Sequence, residues 1–268
     1  MKIIKRICAK NPCYRQGRKI TVRGLMLHSV GCPQENALAF INIWDNADYG
    51  SACVHGIVGG DGKAYQTLPW DHRGWHCGRG AKGSGNDTHI GIEMCEPDCI
   101  RYTGGAGFVC SDARRAKKVV KKTYKSAVAL FARLCEKYGL DPLEDGVILS
   151  HREGCARGIA TNHVDPEHLW RGLGLPYTMD AFRAAVAKKM GVSAKPAGPI
   201  QTAAGYKVRV AVKKLNVRKG PGVEYALSGA VEKGEVYTIV GEERRGGESW
   251  GKLKSGAGYV CLKHTERI

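Results

Sequence analysis

The sequence predicts an α/β or α+β domain built on one central sheet flanked by helices, followed by a small all-β barrel. Three observations carry this reading. Short apolar runs that read as buried strands alternate with amphipathic helical segments up to residue 190. A small, proline-containing stretch without aromatic residues, 191–205, then breaks the pattern and reads as a linker. Beyond it, residues 206–268 offer only short β-rich runs separated by glycine-rich turns. The expected boundaries are therefore 1–190, 191–205 and 206–268.

The elements follow in order. Residues 24–30 (GLMLHSV) read as a short buried strand that ends by presenting His28. From Gln34 to Trp44, apolar residues at Ala37, Phe40, Ile41 and Trp44 keep a helical spacing. Residues 54–66 read as a hairpin, with strands at 55–58 and 63–66 around the turn Gly59-Gly60-Asp61-Gly62. A loop rich in Gly, His and Asn occupies 71–88, and 89–94 reads as another buried strand. Residues 112–138 form the clearest helix: Val120, Tyr124, Ala127, Val128, Phe131, Leu134, Cys135 and Tyr138 share one face. Ser111 or Asp112 can cap its start, and Gly139 closes it. Residues 147–149 read as a last strand that delivers His151, and 178–190 as a helix with Asp180 near its start and Lys188 and Lys189 near its end. In the tail, β-rich runs fall at 208–212, 236–240, 250–253 and 258–262.

Composition narrows the partners. Of 268 residues, 43% are apolar and 25% charged, which suits a globular chain rather than a disordered one. The net charge of +17 calls for a polyanionic partner: nucleic acid, an anionic membrane surface, or a teichoic-acid-bearing wall. The excess is shared, with +6 in residues 206–268 and +11 in the rest. No recognition helix, zinc finger or RNA-binding aromatic motif supports nucleic acid. No apolar run is long enough to span a bilayer, and none follows the basic start at residues 1–6. The expectation is a protein kept in the cytoplasm until release. Eleven cysteines, an odd number without metal-ligand spacing, are expected to be mostly reduced, buried small hydrophobes.

Four polar residues stand where strands end or loops begin: His28, Glu93, His151 and Asp165, with His163 two positions before the last. Two imidazoles and a carboxylate make a plausible hydrolytic zinc site that keeps one position open for water. A neighbouring carboxylate can take a proton, and a cation can support an oxyanion.

Four segments sharpen this: Gly24–Ser29, Trp75-His76-Cys77-Gly78, residues 89–93 (HIGIE) and Ser150-His151-Arg152-Glu153-Gly154. Together with Asn162-His163-Val164-Asp165-Pro166, over roughly residues 20–190, they resemble the zinc-dependent N-acetylmuramoyl-L-alanine amidases, a fold shared with peptidoglycan recognition proteins and many phage lysins. The resemblance implies an α/β amidase domain with a mixed central sheet. It also implies cleavage of the amide between the lactyl group of N-acetylmuramic acid and L-alanine. It makes His28, His151 and Asp165 the Zn²⁺ ligands and Glu93 the general base. His163 takes the place often held by lysine and would stabilise the oxyanion, with more sensitivity to rising pH. His76 and Trp75 are expected to line the substrate groove. Val54 stands where some members carry tyrosine, so no tyrosine receives a catalytic role. His55 is read either as a partner that orients a ligand or as a satisfied core histidine, and Glu96 as a group for solvation or substrate contact.

The tail segment 215–222 (LNVRKGPG), with Trp250–Leu253 and Gly258-Tyr259-Val260, is similar to bacterial SH3-like domains, which commonly bind the cell wall. A domain that only dimerises or stabilises the enzyme is the other reading. Together the parts imply a phage- or prophage-type endolysin whose partners are peptidoglycan and anionic wall polymers, with no nucleic acid and no integral membrane segment. A host autolysin is the near neighbour. The alternative from another class is a non-catalytic, receptor-like peptidoglycan binder.

Overall fold

The computed structural model describes residues 2–50, 52–192, 205–223, 225–245 and 248–268. The chain divides into two compact units, residues 1–193 and 194–268. The expected linker at 191–205 lies largely outside the described residues.

The first unit runs β1 (Ile3–Lys5), α1 (Pro12–Gln16), β2 (Gly24–Ser29), α2 (Ala37–Trp44), β3 (Gly56–Val58), β4 (Ala64–Gln66), β5 (His89–Met94), β6 (Ile100–Gly104), β7 (Gly107–Cys110), α3 (Ala113–Tyr138), β8 (Ile148–Ser150), α4 (His151–Ala156), α5 (Glu167–Gly172) and α6 (Met179–Lys189). Six strands form a mixed sheet in the order β1-β4-β3-β5-β2-β8, in which only the β3–β4 pair is antiparallel. All six residues of β2 are buried, as the apolar run predicts for a central parallel strand covered on both faces. The register sets His28 of β2 beside Glu93 of β5.

α3 is the main support of this sheet. The Asp112 carboxylate caps its start by accepting the Arg115 N–H at 2.9 Å, and Gly139 ends it in the left-handed region at φ 63°. Its apolar face buries Val120, Leu130, Phe131 and Leu134 in one core with Leu25, Leu27, Ile90, Ile92, Trp170 and Phe182. The Phe131 and Phe182 rings meet edge to face at 5.0 Å, which locks α6 onto α3. Each such fully buried side chain contributes roughly 1.5–3 kcal/mol of transfer free energy.

The structure corrects several expectations. α2 starts at Ala37, because the Asn36 side chain caps it by accepting the Leu38 N–H, so Gln34 stays outside. β1, α1, the β6–β7 hairpin, α4 and α5 were not expected. Each is three to six residues long, too short to show a period. α4 nevertheless had a readable signal in Ser150-x-x-Glu153, which forms a reciprocal capping box. The cysteines agree with the expectation: all eleven are free and six are buried, while Cys13, Cys32, Cys99, Cys110 and Cys155 are half-buried.

The second unit is all β: β9 (Tyr206–Val210), β10 (Lys214–Arg218), β11 (Leu227–Glu232), β12 (Val236–Arg245), β13 (Glu248–Leu253), β14 (Tyr259–Cys261) and β15 (Thr265–Arg267). The strands pair antiparallel in the order β11-β10-β14-β13-β12-β9-β15. They enclose a core of Val208, Val210, Leu215, Val217, Val231, Ile239, Leu253 and Val260. No helix among the described residues is long and apolar enough to cross a membrane.

Candidate metal centre and active site

Three elements deliver the central donors. His28 lies near the carboxyl end of β2, His151 opens α4 directly after β8, and Asp165 precedes α5. All three are buried, and one ligand atom from each falls within 4.8 Å of the others. His28 Nδ1 lies 3.1 Å from His151 Nδ1 and 3.2 Å from Asp165 Oδ2, and His151 Nδ1 lies 3.6 Å from Asp165 Oδ1.

The surrounding hydrogen bonds assign which nitrogen of each imidazole carries the proton. The His89 carbonyl sits 3.0 Å from His76 Nε2, so that nitrogen must donate, and His76 Nδ1 is left as an acceptor. His28 Nε2, 3.0 Å away, donates to it, which leaves His28 Nδ1 as a bare lone pair facing the centre. A second chain does the same for His151. The Thr161 hydroxyl donates to the Cys77 carbonyl at 3.2 Å and accepts from His151 Nε2 at 3.2 Å, so His151 Nδ1 also turns inward unprotonated. Burial, the largest cause, pushes the His151 imidazole down to about 3, in keeping with its neutral form. Two lone pairs and a carboxylate facing one another repel unless a cation lies between them. The donor set therefore fits a metal ion, and two imidazoles with one carboxylate suit zinc.

Glu93 projects from β5 beside this centre. Its Oε2 is buried with no hydrogen-bond partner among the described residues. Burial first, then the charges of Asp165 and Glu96, push its carboxyl well above the ordinary range. Such a group holds a proton readily, as a base that must receive one does.

Glu96 has a different role from the one expected. It is 0% exposed. It accepts the Tyr102 hydroxyl at 2.7 Å and the Gly31 N–H at 3.1 Å, while His168 Nε2 donates to the Tyr102 oxygen at 2.7 Å. Glu96 is thus unavailable to solvent. Its network ties the β5 exit and the β6–β7 hairpin to α5, close behind Asp165. Tyr102, His168 and Thr161 had no signal in the sequence, because their partners lie 6 to 84 positions away.

The remaining predicted residues separate by exposure. His163 is 62% exposed on its side chain and stacks on the His151 ring at 4.5 Å, with Nδ1 4.0 Å from Asp165 Oδ1. It stands at the mouth of the centre. Trp75 is 40% exposed, with the Arg73 guanidinium 5.4 Å from its ring centroid. The His76 ring packs between His28 and His55, and both its nitrogens are held within the protein. A Cβ on Gly91 would come 2.3 Å from that ring, so glycine there is what admits it. His55 is a satisfied core histidine: its Nδ1 accepts the Gly91 N–H at 3.0 Å and its Nε2 donates to the His72 carbonyl at 2.7 Å.

Known proteins resemble the chain in this region. The family model described as N-acetylmuramoyl-L-alanine amidase matches residues 16–168. The crystal structure of the Staphylococcus aureus hydrolase AmiA superposes with a TM-score of 0.51 at 22% identity, covering 72% of this chain and 87% of that one, a likeness of fold. A mutant endolysin from Bacillus subtilis is 20% identical, with a TM-score of 0.45, over 69% of this chain and 99% of that one. The N-acetylmuramoyl-L-alanine amidase CwlH of Bacillus subtilis (strain 168) is 56% identical over 36 residues, so the match spans only 14% of CwlH and 13% of this chain. The family model takes in more than half of the chain and all of His28, Glu93, His151 and Asp165: the chain belongs to the N-acetylmuramoyl-L-alanine amidase family.

Proposed function

We propose that the protein is a zinc-dependent peptidoglycan amidase that hydrolyses the bond between the lactyl group of N-acetylmuramic acid and L-alanine. The observation that carries this reading is the inward-facing set of His28 Nδ1, His151 Nδ1 and the Asp165 carboxylate beside the unpartnered Glu93 carboxyl, within the family-matched segment. A zinc ion held there would supply Lewis acidity, polarising the scissile carbonyl and acidifying water. His76 and Thr161 keep the two ligand imidazoles in the required tautomer. Glu93 takes a proton from the attacking water and returns it to the departing L-alanine amine. His163, at the mouth, donates to the oxyanion as the carbonyl becomes tetrahedral. Trp75 and His76 are assigned to the substrate groove, Trp75 through its exposed indole and His76 through ring carbons alone.

The second unit is read as an SH3-like wall-binding domain, supported by its all-β architecture and by the charge of +6 on residues 206–268. An endolysin that folds in a reducing cytoplasm and acts after release suits eleven free thiols. Its partners on this reading are peptidoglycan and anionic wall polymers.

The test is digestion of purified peptidoglycan with and without chelator, counting new L-alanine amino groups and new reducing sugar ends. Amino groups should appear without sugar ends, and only without chelator. Binding with no release of amino groups would leave the receptor-like alternative instead.

A further inference from the structure

The outer face of α3 has no place in the chemistry above. Arg114, Lys117, Lys118, Lys121, Lys122 and Lys125 recur at intervals of three and four residues, which puts them on one side of the helix. Five of them are exposed and Lys117 is half-buried. From Ala113 to Cys135 the helix carries no acidic residue. Among the described residues none of the six takes part in a salt bridge. The carboxylates nearby are already engaged: Glu35 and Asp98 both bind Arg115, and Asp61 binds Lys63 at 2.9 Å, although it also feels Lys122.

A solvated helix face ordinarily mixes signs, because opposite charges at these spacings stabilise it and like charges destabilise it. Here the repulsion is left largely uncompensated among the described residues, Asp61 offsetting it in part at Lys122. The stripe is also long and convex, about 16 Å from Arg114 to Lys125 at helical rise. Five of its six members are lysines, mobile point charges rather than planar forks built for one fixed phosphate. Such a row matches a linear polymer with a phosphate in every repeat, which would cover several charges at once and release their counterions.

We infer that this face of α3 is a docking surface for a phosphodiester-linked wall polymer of the teichoic-acid class. The choice of polymer rests on the proposed action at the cell wall. The amidase unit would then grip the wall itself, independently of the second unit.

The test compares the full-length protein with Lys118→Gln/Lys121→Gln/Lys125→Gln and with the charge-keeping Lys118→Arg/Lys121→Arg/Lys125→Arg. The probe is purified poly(glycerol phosphate) over a salt series. The glutamine variant should bind about tenfold more weakly at low salt, with a log–log salt slope shallower by roughly two to three. The arginine variant should match wild type, and all three proteins should cleave soluble muropeptides at the same rate. Equal binding of wild type and the glutamine variant would overturn the surface. Tighter binding of duplex DNA than of poly(glycerol phosphate), at equal phosphate concentration, would overturn the choice of polymer. Loss of polymer binding in the glutamine variant, in a protein that releases no L-alanine amino groups, would support the surface and count only against the amidase reading.

Discussion

The two units bury different kinds of residue. Every buried polar or charged side chain among the described residues belongs to the first unit, including His28, His55, Glu96, Ser150, His151 and Asp165. The second unit buries apolar side chains and keeps its polar pairs at half-exposed or exposed positions, as in Tyr206–Glu242, Tyr259–Glu243 and Lys263–Glu248. Leaving a buried polar group unpaired costs about 1–3 kcal/mol, so the first unit needs a nearly complete hydrogen-bond network to tolerate its site. That network has a chemical result, since it decides which nitrogen of His28 and of His151 faces the centre. The second unit carries far less of this burden, the Trp250 indole nitrogen being its one buried polar side-chain atom without a partner among the described residues. Net charge does not separate them, because both are basic.

The largest effect expected from breaking this contrast is at the centre. His151→Ala should abolish metal retention and reduce amide hydrolysis to background, while the β9–β15 unit keeps its own melting transition. Metal content and muropeptide cleavage measured on one sample check this.

Acid should also act on the two units unequally. Burial, against the hydrogen bonds that His55 makes, lowers this imidazole from 6.5 to about 4. Its folded pKa lies below its unfolded one, so the stability it provides is complete above pH 6.5 and is lost as pH falls toward 4. The loss is about 3 kcal/mol for a shift of this size. Calorimetry between those pH values should show the first transition falling while the second holds. His55→Gln should flatten part of that slope.

A smaller effect is expected from removing the second unit. Residues 1–192 alone should cleave soluble muropeptides at the full rate, yet pellet with purified walls on the order of tenfold less well, because tethered binding raises local concentration without touching the chemistry. Equal pelleting would remove the second unit from wall attachment.

How much of this the sequence disclosed follows from the range of each interaction. β2 and β5 were legible as continuous apolar runs, and α3 because 26 residues give a period many chances to repeat. His28 stood out near the end of β2 and His151 directly after the apolar run of β8, whereas Asp165, in the loop before α5, was marked as a donor by the family resemblance of residues 162–166. α5 and the β6–β7 hairpin were not legible, being held by packing rather than by local propensity. The residues that tune the site were hidden for the same reason. Nothing at position 91 states that glycine makes room for His76, and nothing at 161 states that its hydroxyl orients His151. Glu96, three residues after Glu93, reads from the sequence as a group for solvation or substrate contact, yet the fold seals it within a tyrosine–histidine network and leaves Glu93 unpartnered beside the centre.

That difference between two neighbouring carboxyls is also the most direct test. Glu93→Gln should be measured for zinc content and for release of L-alanine amino groups from purified peptidoglycan, beside wild type. The account predicts about one zinc per chain in both proteins and a rate lower by about 10²–10⁴-fold in the variant. A variant that keeps its zinc and stays within about threefold of the wild-type rate, far short of the loss a positioned base implies, would contradict the assignment of proton transfer to Glu93.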